Sequence, residues 1–193
     1  MRRRLVVALL AVGAVLLGVV VNVVDARLLP YGPTGATGEV GEDIGAFPYR
    51  VHVSDVRVAE TILEPRLFEP GDPVASDGVW VVVTLSYATE DRLRVPSSGR
   101  IVLRAEDGRE FPVSARSGLT TWLAGPDTWV RGDLAFEVAP DAVEHLTLVF
   151  DPGLQIYGPM PMPYARIPLD LADVEVLDAA ELAQPVELAV GER

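Results

Sequence analysis

The chain of 193 residues contains no cysteine, which excludes a disulfide framework, a thiolate zinc site and a cysteine nucleophile. Lysine is also missing, since all 16 basic residues are arginine; this reads as a compositional bias of the sort a GC-rich genome imposes. Histidine occurs only twice, at His52 and His145, and no Gly-x-Ser-x-Gly elbow accompanies them. Positive charge is scarce as well. The formal net charge is −12, and Arg2-Arg3-Arg4 all precede an apolar run, so the remainder of the chain is more acidic still. Nucleic acid repels such a surface, as do anionic headgroups, so nucleic-acid binding is excluded and net charge serves solubility.

What is present begins with that apolar run. From Leu5 to Val24 the only polar side chain is Asn22, and as a helix this stretch would measure ~30 Å, the thickness of a hydrocarbon core. The apolar region of a cleavable signal peptide is about 7 to 15 residues. A retained anchor is therefore expected, although Val24-Asp25-Ala26 offers small residues at the cleavage-type positions. The arginines would stay in the cytoplasm and everything beyond Val24 would lie outside.

The expected organisation is a basic stub over 1–4, a transmembrane signal-anchor over 5–24, a Gly/Pro-rich linker over 25–48, a domain over 49–171 and an acidic tail over 172–193. The linker shows no hydrophobic period and, as a flexible coil, would span roughly 25 Å. From Tyr49 the pattern becomes short alternating apolar runs bounded by turn signals, an all-β texture. Val51 and Val53 share a parity, Val56 and Val58 the opposite one, so a β-bulge is expected at Ser54-Asp55. Val79, Val81, Val83, Leu85 and Tyr87 form one face of a central strand, with Trp80 and Val82 on the other. Asp107-Gly108 predicts a two-residue type I′ hairpin joining 101–106 to 109–113. Leu146, Leu148 and Phe150 face inward, "PGLQIYGPMPMP" is too proline-rich for a regular strand, and "YARIPLDL" supplies the last strand. Seven or eight short strands on this spacing imply a two-sheet immunoglobulin-like sandwich. The tail could be a strand, a brief helix or a strap.

The stretches "VHVSDVRVAE", "VWVVVTLSY", "VLRAEDGREF", "LAGPDTWVRGDLAFEVAPDA" and "LTLVFDP" together resemble the telokin-like immunoglobulin-fold domains of bacterial, in particular actinobacterial, secreted and membrane-anchored envelope proteins, a domain of unknown function. The resemblance covers roughly residues 49–152 and rests on strand pattern. Ala88-Thr89-Glu90-Asp91 departs from the Asn-rich turn common in that family. The resemblance implies a fold, an extracytoplasmic setting and an interaction role, and brings no catalytic residue.

The chemical candidates are few. Neither histidine has a partner that the sequence identifies. The carboxylates Glu39, Glu42 and Asp43, Asp72 and Asp77, and Glu106 and Asp107 lack the spacing of a calcium loop. Arg131-Gly132-Asp133 spells an adhesion tripeptide, yet it alternates within a strand pattern, placing Gly132 inward and both charges along a sheet surface. Trp80 and Trp129 point away from the core, ~25 Å apart, and with Trp122, Met160 and Met162 they are the candidate partner contacts. Ala14, Gly18 and Asn22 recur every fourth residue, a stripe through which the helix could contact another membrane helix.

The expectation is thus a single-pass envelope protein with its amino terminus in the cytoplasm and a non-catalytic extracytoplasmic interaction or accessory module, with a protein partner in the membrane or cell wall and no cofactor. The alternative is a small-ligand or Ca2+-binding extracytoplasmic domain.

Overall fold

The computed structural model describes residues 2–28, 32–64, 71–126, 128–153 and 161–193. Two compact units arise, one of them comprising Gly35–Gln155 and Pro163–Arg193. The other contains the helix α1 (Arg2–Leu28). Where its side chains are described, at Val6 and from Leu10 to Val24, they are exposed. Among the described residues no helix is long and apolar enough to cross a membrane. The spanning helix expected over Leu5 to Val24 is not met within those residues.

Among the described residues eleven strands follow α1: β1 (Gly32–Thr37), β2 (Asp43–Ala46), β3 (Tyr49–Leu63), β4 (Pro73–Thr89), β5 (Ile101–Ala105), β6 (Glu110–Pro112), β7 (Val130–Val138), β8 (His145–Phe150), β9 (Pro161–Asp170), β10 (Val176–Glu181) and β11 (Val186–Glu187). They form two sheets. One has the order β1-β9-β8-β5-β6, the other β10-β3-β4-β7-β11 with β2 beside β3. The chain is therefore a two-sheet β-sandwich with more strands than its alternation alone suggests.

The main core lies between the sheets and follows the expected parity. Val51, Val53, Val58, Val81, Val83, Leu85 and Tyr87 meet Leu134, Phe136, Leu146, Leu148 and Phe150 there. The parity of β3 switches where its register against β4 slips between Val53 and Asp55, the bulge expected at Ser54-Asp55. A second slip follows, for Ala59 faces Trp80 but Thr61 faces Ala75. Extra residues of β4, Ser76 to Val79, arch there against a single residue of β3. The Glu137 carboxylate secures the arch by accepting the Ser76 hydroxyl at 2.9 Å and the Asp77 N–H at 3.3 Å. Only glycine fits at 78, since a Cβ would stand 2.2 Å from the Val138 carbonyl oxygen.

Three local expectations are corrected. The supposed linker over 25–48 contains β1 and β2, and β2 pairs antiparallel with β3 while Ile44 and Ala46 enter the main core. Two inward apolar residues in four are enough to dock a strand, but too few to show as a period. The hairpin of β5 and β6 exists, but its loop is longer than two residues. The Gly108 N–H donates to the Ala105 carbonyl and the Ala105 N–H to that of Arg109, with Gly108 left-handed at φ 89°. That is a three-residue loop with glycine in the left-handed position. Finally, β9 begins at Pro161, inside the stretch expected to be irregular; proline is tolerated at the first residues of a strand, where a missing donor costs least.

The tail, for which strand, helix and strap stood open, is two strands and a strap. β10 lies parallel on β3, and β11 lies antiparallel on β7. Because β3 and β7 flank β4 on opposite sides, the residues between, Leu182 to Pro185, cross the outer face of the sheet.

Candidate functional site

The crossing segment decides where most of the sequence candidates end up. Trp80 does point away from the main core, yet it is only 3% exposed. It packs with Ala59, Ile62, Val82, Ala135, Ala180 and Leu182 in a second core, and its indole N–H donates to the Val74 carbonyl at 3.0 Å. Trp129 is likewise covered, at 4% exposed. Ala88 and Leu188 flank it, and the guanidinium groups of Arg50 and Arg193 lie 5.4 and 4.5 Å from its ring centre. Both are corrections: the tail occupies the positions a partner was expected to take. The two rings do belong to separate clusters, as their spacing required.

Asp133 is the anchor point of the tail. Its side chain is fully buried, and it accepts hydrogen bonds from Arg57 Nη2 at 2.6 Å, the Thr84 hydroxyl at 2.6 Å and the Ala183 N–H at 2.8 Å. Arg57 in turn donates to the Glu181 carbonyl at 3.2 Å. The expectation that Asp133 lies along an open sheet surface is therefore corrected, for its carboxylate is spent on joining three strands to the strap. Gly132 faces inward as expected, with Leu119 and the Pro185 backbone where a side chain would start. An adhesion tripeptide needs its carboxylate free, and this one is not.

At the end of the tail, Arg193 Nε donates to Asp43 Oδ2 at 2.9 Å. Asp43 also pairs with Arg50 at 3.3 Å and with His52 Nδ1 at 3.0 Å. Burial raises the Asp43 pKa, but the bonds and charges of Arg193 and His52 outweigh it and hold the carboxyl below its ordinary range. His52 thus has the partner the sequence did not reveal. His145 stands 3.7 Å from Asp170. Among the described residues neither histidine is hydrogen-bonded to a hydroxyl, and no group of three or more His, Asp and Glu side chains is placed to hold a metal ion. Within the acidic loops, Glu42 accepts the Glu39 N–H while Asp43 turns to its cations.

The five-stranded sheet presents Val102, Arg104, Thr147, Arg166 and Pro168 outward, part-buried or exposed. A cleft of about 430 Å³ opens along this face beside the β5–β6 loop and β9. Of the two arginines that line it, Arg104 lies on Glu110 at 2.7 Å. In the adjoining cleft Arg109 is shared between Asp107 at 2.7 Å and Asp141 at 3.1 Å. Small-molecule pockets are mostly apolar with a few convergent polar groups, whereas these clefts are open and lined by ion pairs, suited to water and to polar surfaces.

Trp122 alone among the three tryptophans is exposed. It lies in a loop held by Tyr87, whose buried hydroxyl stands 2.8 Å from the Leu119 carbonyl oxygen and 2.5 Å from that of Trp122 and shares its one proton between them. Burial raises the pKa of that hydroxyl. Leu123, Leu93, Val95 and Phe47 are exposed as well, residues the sequence reading passed over; for the first three, apolar side chains inside "DRLRVP" and "TTWLAG" were the available signal. Met160 lies outside the described residues, and of Met162 only the backbone, in β9, is described. Ala14, Gly18 and Asn22 are exposed on α1, with nothing within 4 Å of a Cβ at Gly18.

Fold and surfaces together define a two-sheet β-sandwich whose one outer face is closed by its own tail. No family model matches the chain, and no curated protein matches it. Among solved structures it is similar to an uncharacterized β-sandwich protein from Clostridium difficile 630, at 9% identity and TM-score 0.46 over 71% of this chain and 97% of that one. It is also similar to MPT63, a secreted protein from Mycobacterium tuberculosis, at 15% identity and TM-score 0.43 over 71% and 98%. The yjhA protein from Bacillus subtilis matches at 15% identity and TM-score 0.44 over 62% and 86%. None of these likenesses bears on activity.

Proposed function

We propose that the chain is a membrane-anchored, non-catalytic interaction or accessory module of a bacterial cell envelope, with an immunoglobulin-like sandwich outside the membrane. The observation that carries this reading is α1. Val6, Leu10, Val12, Val15, Leu16, Leu17 and the valines up to Val24 are exposed, and apolar surface on that scale is stable only where water is excluded. Arg2-Arg3-Arg4 would hold its start on the cytoplasmic side. The order β3-β4-β7 against β9-β8-β5-β6 supports the immunoglobulin-like assignment, corresponding to strands A-B-E and G-F-C-C′. β1, β2, β10 and β11 are then additions at the edges.

Cell fractionation tests the reading. The full chain should stay with membranes through a high-salt and alkaline wash, be released by detergent, and be degraded by protease added to spheroplasts. Recovery from the culture medium, shortened after Ala26, would replace the anchor with a secreted domain. Recovery in the cytosol would overturn the setting altogether.

A further inference from the structure

Among the described residues of the sandwich ten large apolar side chains are exposed, and five of them, Phe47, Leu93, Val95, Trp122 and Leu123, belong to a ledge of loops at one end. The Arg94 N–H donates to the Ala124 carbonyl and the Ala124 N–H to that of Arg94, both at 2.9 Å, a two-residue antiparallel ladder between two loops. Ala124 is buried, so the alternate residues on either side of the ladder, Leu93, Val95 and Leu123, turn outward together. They are 66%, 40% and 58% exposed, with Trp122 at 42% beside them. Half-exposed Phe47 precedes Pro48, whose carbonyl accepts the Glu90 N–H at 2.9 Å, which brings this backbone to the same end of the sandwich. Tyr87 and Thr89 hold the ledge rigid from below, through the Trp122 and Gly125 carbonyls. A fixed apolar patch that is left open requires a covering surface.

Two features point to what covers it. First, the ledge is at the end where the chain enters the sandwich. Tyr49, beside Phe47 and Pro48, stacks edge-on against Phe150 at 5.5 Å, Phe150 pairs with Ala165, and Gly35 lies against Tyr164. Leu28 and Gly35 are seven residues apart, a span of at most ~25 Å. If α1 is a membrane anchor, the reading on which this inference rests, that end is tethered within this distance of the lipid. Second, the charge is distributed to suit. The opposite end carries Glu106, Asp107, Asp141 and Glu144 around Arg109, whereas the ledge is close to neutral, with exposed Glu90 and Arg92 of opposite sign and Arg94 paired with Asp91. Tryptophan with arginine and flanking aliphatic residues suits the headgroup layer, where one end of the ring is apolar and the other wet.

We propose that Phe47, Leu93, Val95, Trp122 and Leu123 seat in the interfacial layer of the bilayer that holds α1, so that the sandwich lies docked on the membrane with its acidic end outward. The occupant is a zwitterionic lipid surface, since the ledge has no surplus of positive charge to prefer an anionic one.

The test uses the full chain reconstituted into phosphatidylcholine vesicles, with and without lipid brominated high on its acyl chains. Flotation reports on the anchor, and quenching of tryptophan reports on docking. Trp80 and Trp129 are buried, so the expected quenching is a loss approaching one third of the emission, the share of one tryptophan in three. Trp122→Phe should abolish the quenching. A Leu93→Asp/Leu123→Asp variant should also lose it while still floating and keeping its circular dichroism spectrum. Flotation of the parent chain without quenching would overturn docking and leave the anchor standing. Failure to float would overturn both. Protection of Trp122 from aqueous iodide that depends on protein concentration, without lipid quenching, would assign the ledge to a second copy of the chain and refute the lipid surface.

Discussion

Replacing Asp133 with alanine perturbs the point at which three strands and the tail are joined. The carboxylate is fully buried and serves Arg57, Thr84 and the Ala183 N–H at 2.6, 2.6 and 2.8 Å. Its removal leaves the Arg57 guanidinium without its short partner in a covered site, together with an unsatisfied hydroxyl and an unsatisfied amide. Breaking a buried ion pair by deleting one member costs ~3–5 kcal/mol. Arg57 retains Asp55 at 3.4 Å and its side chain is 28% exposed, so the lower end applies, about 3 kcal/mol. For a sandwich of this size that corresponds to a fall in Tm of roughly 6–12 °C. The loss should be concentrated in the strap. Urea unfolding in detergent micelles gives the global value, and hydrogen exchange resolves the Leu182, Ala183 and Leu188 amides. Loss below about 1 kcal/mol with those amides still protected would refute the view that Asp133 fastens the tail, because a buried acceptor cannot then be shared as the geometry requires.

Other substitutions test separate parts of the fold. Ser86→Ala should be neutral or stabilise by up to about 1 kcal/mol in urea, because the Ser86 hydroxyl is buried with no hydrogen-bond partner among the described residues and such a group carries a desolvation cost. Gly78→Ala should destabilise by ~2 kcal/mol or more, since its Cβ would fall 2.2 Å from a backbone oxygen and β4 would have to leave β7; thermal melts unchanged within error would discredit the arch. Acidification should release the end of the tail. Arg193 and His52 hold the Asp43 carboxyl below the ordinary aspartate range, so its contribution is complete above that range and disappears as the pH falls through the lower folded value. Trp129 emission should therefore change below about pH 4 in the parent chain and be flat over that range in Asp43→Asn. Arg193→Ala should shift Trp129 emission in the same direction at neutral pH, as the nearer of the two cations over the ring is then gone.

Local alternation was enough to place β3, β4, β7 and β8 and to locate the bulge at Ser54-Asp55, because a side-chain period of two leaves no choice of face once one face is apolar. The hairpin at Asp107-Gly108 was legible for a similar reason: a left-handed residue flanked by strand-like runs has few alternatives. The loop length around it was not, since Gly108 suits both a two-residue turn and the bulged turn that formed. β2 escaped notice because Ile44 and Ala46 give too short a pattern among glycines.

The sequence by itself therefore determined a β-sandwich, the inward residues of its central strands and an apolar amino-terminal run with arginines before it. Alternation assigns Trp80, Asp133 and Trp129 to the outer side of a sheet, but it carries no information on whether another segment covers that side. Only the tertiary structure decided that, through contacts such as Arg57 to Glu181, 124 residues apart. The same pairing that buries two tryptophans and the carboxylate of an apparent recognition tripeptide leaves Trp122, Leu93 and Leu123 exposed.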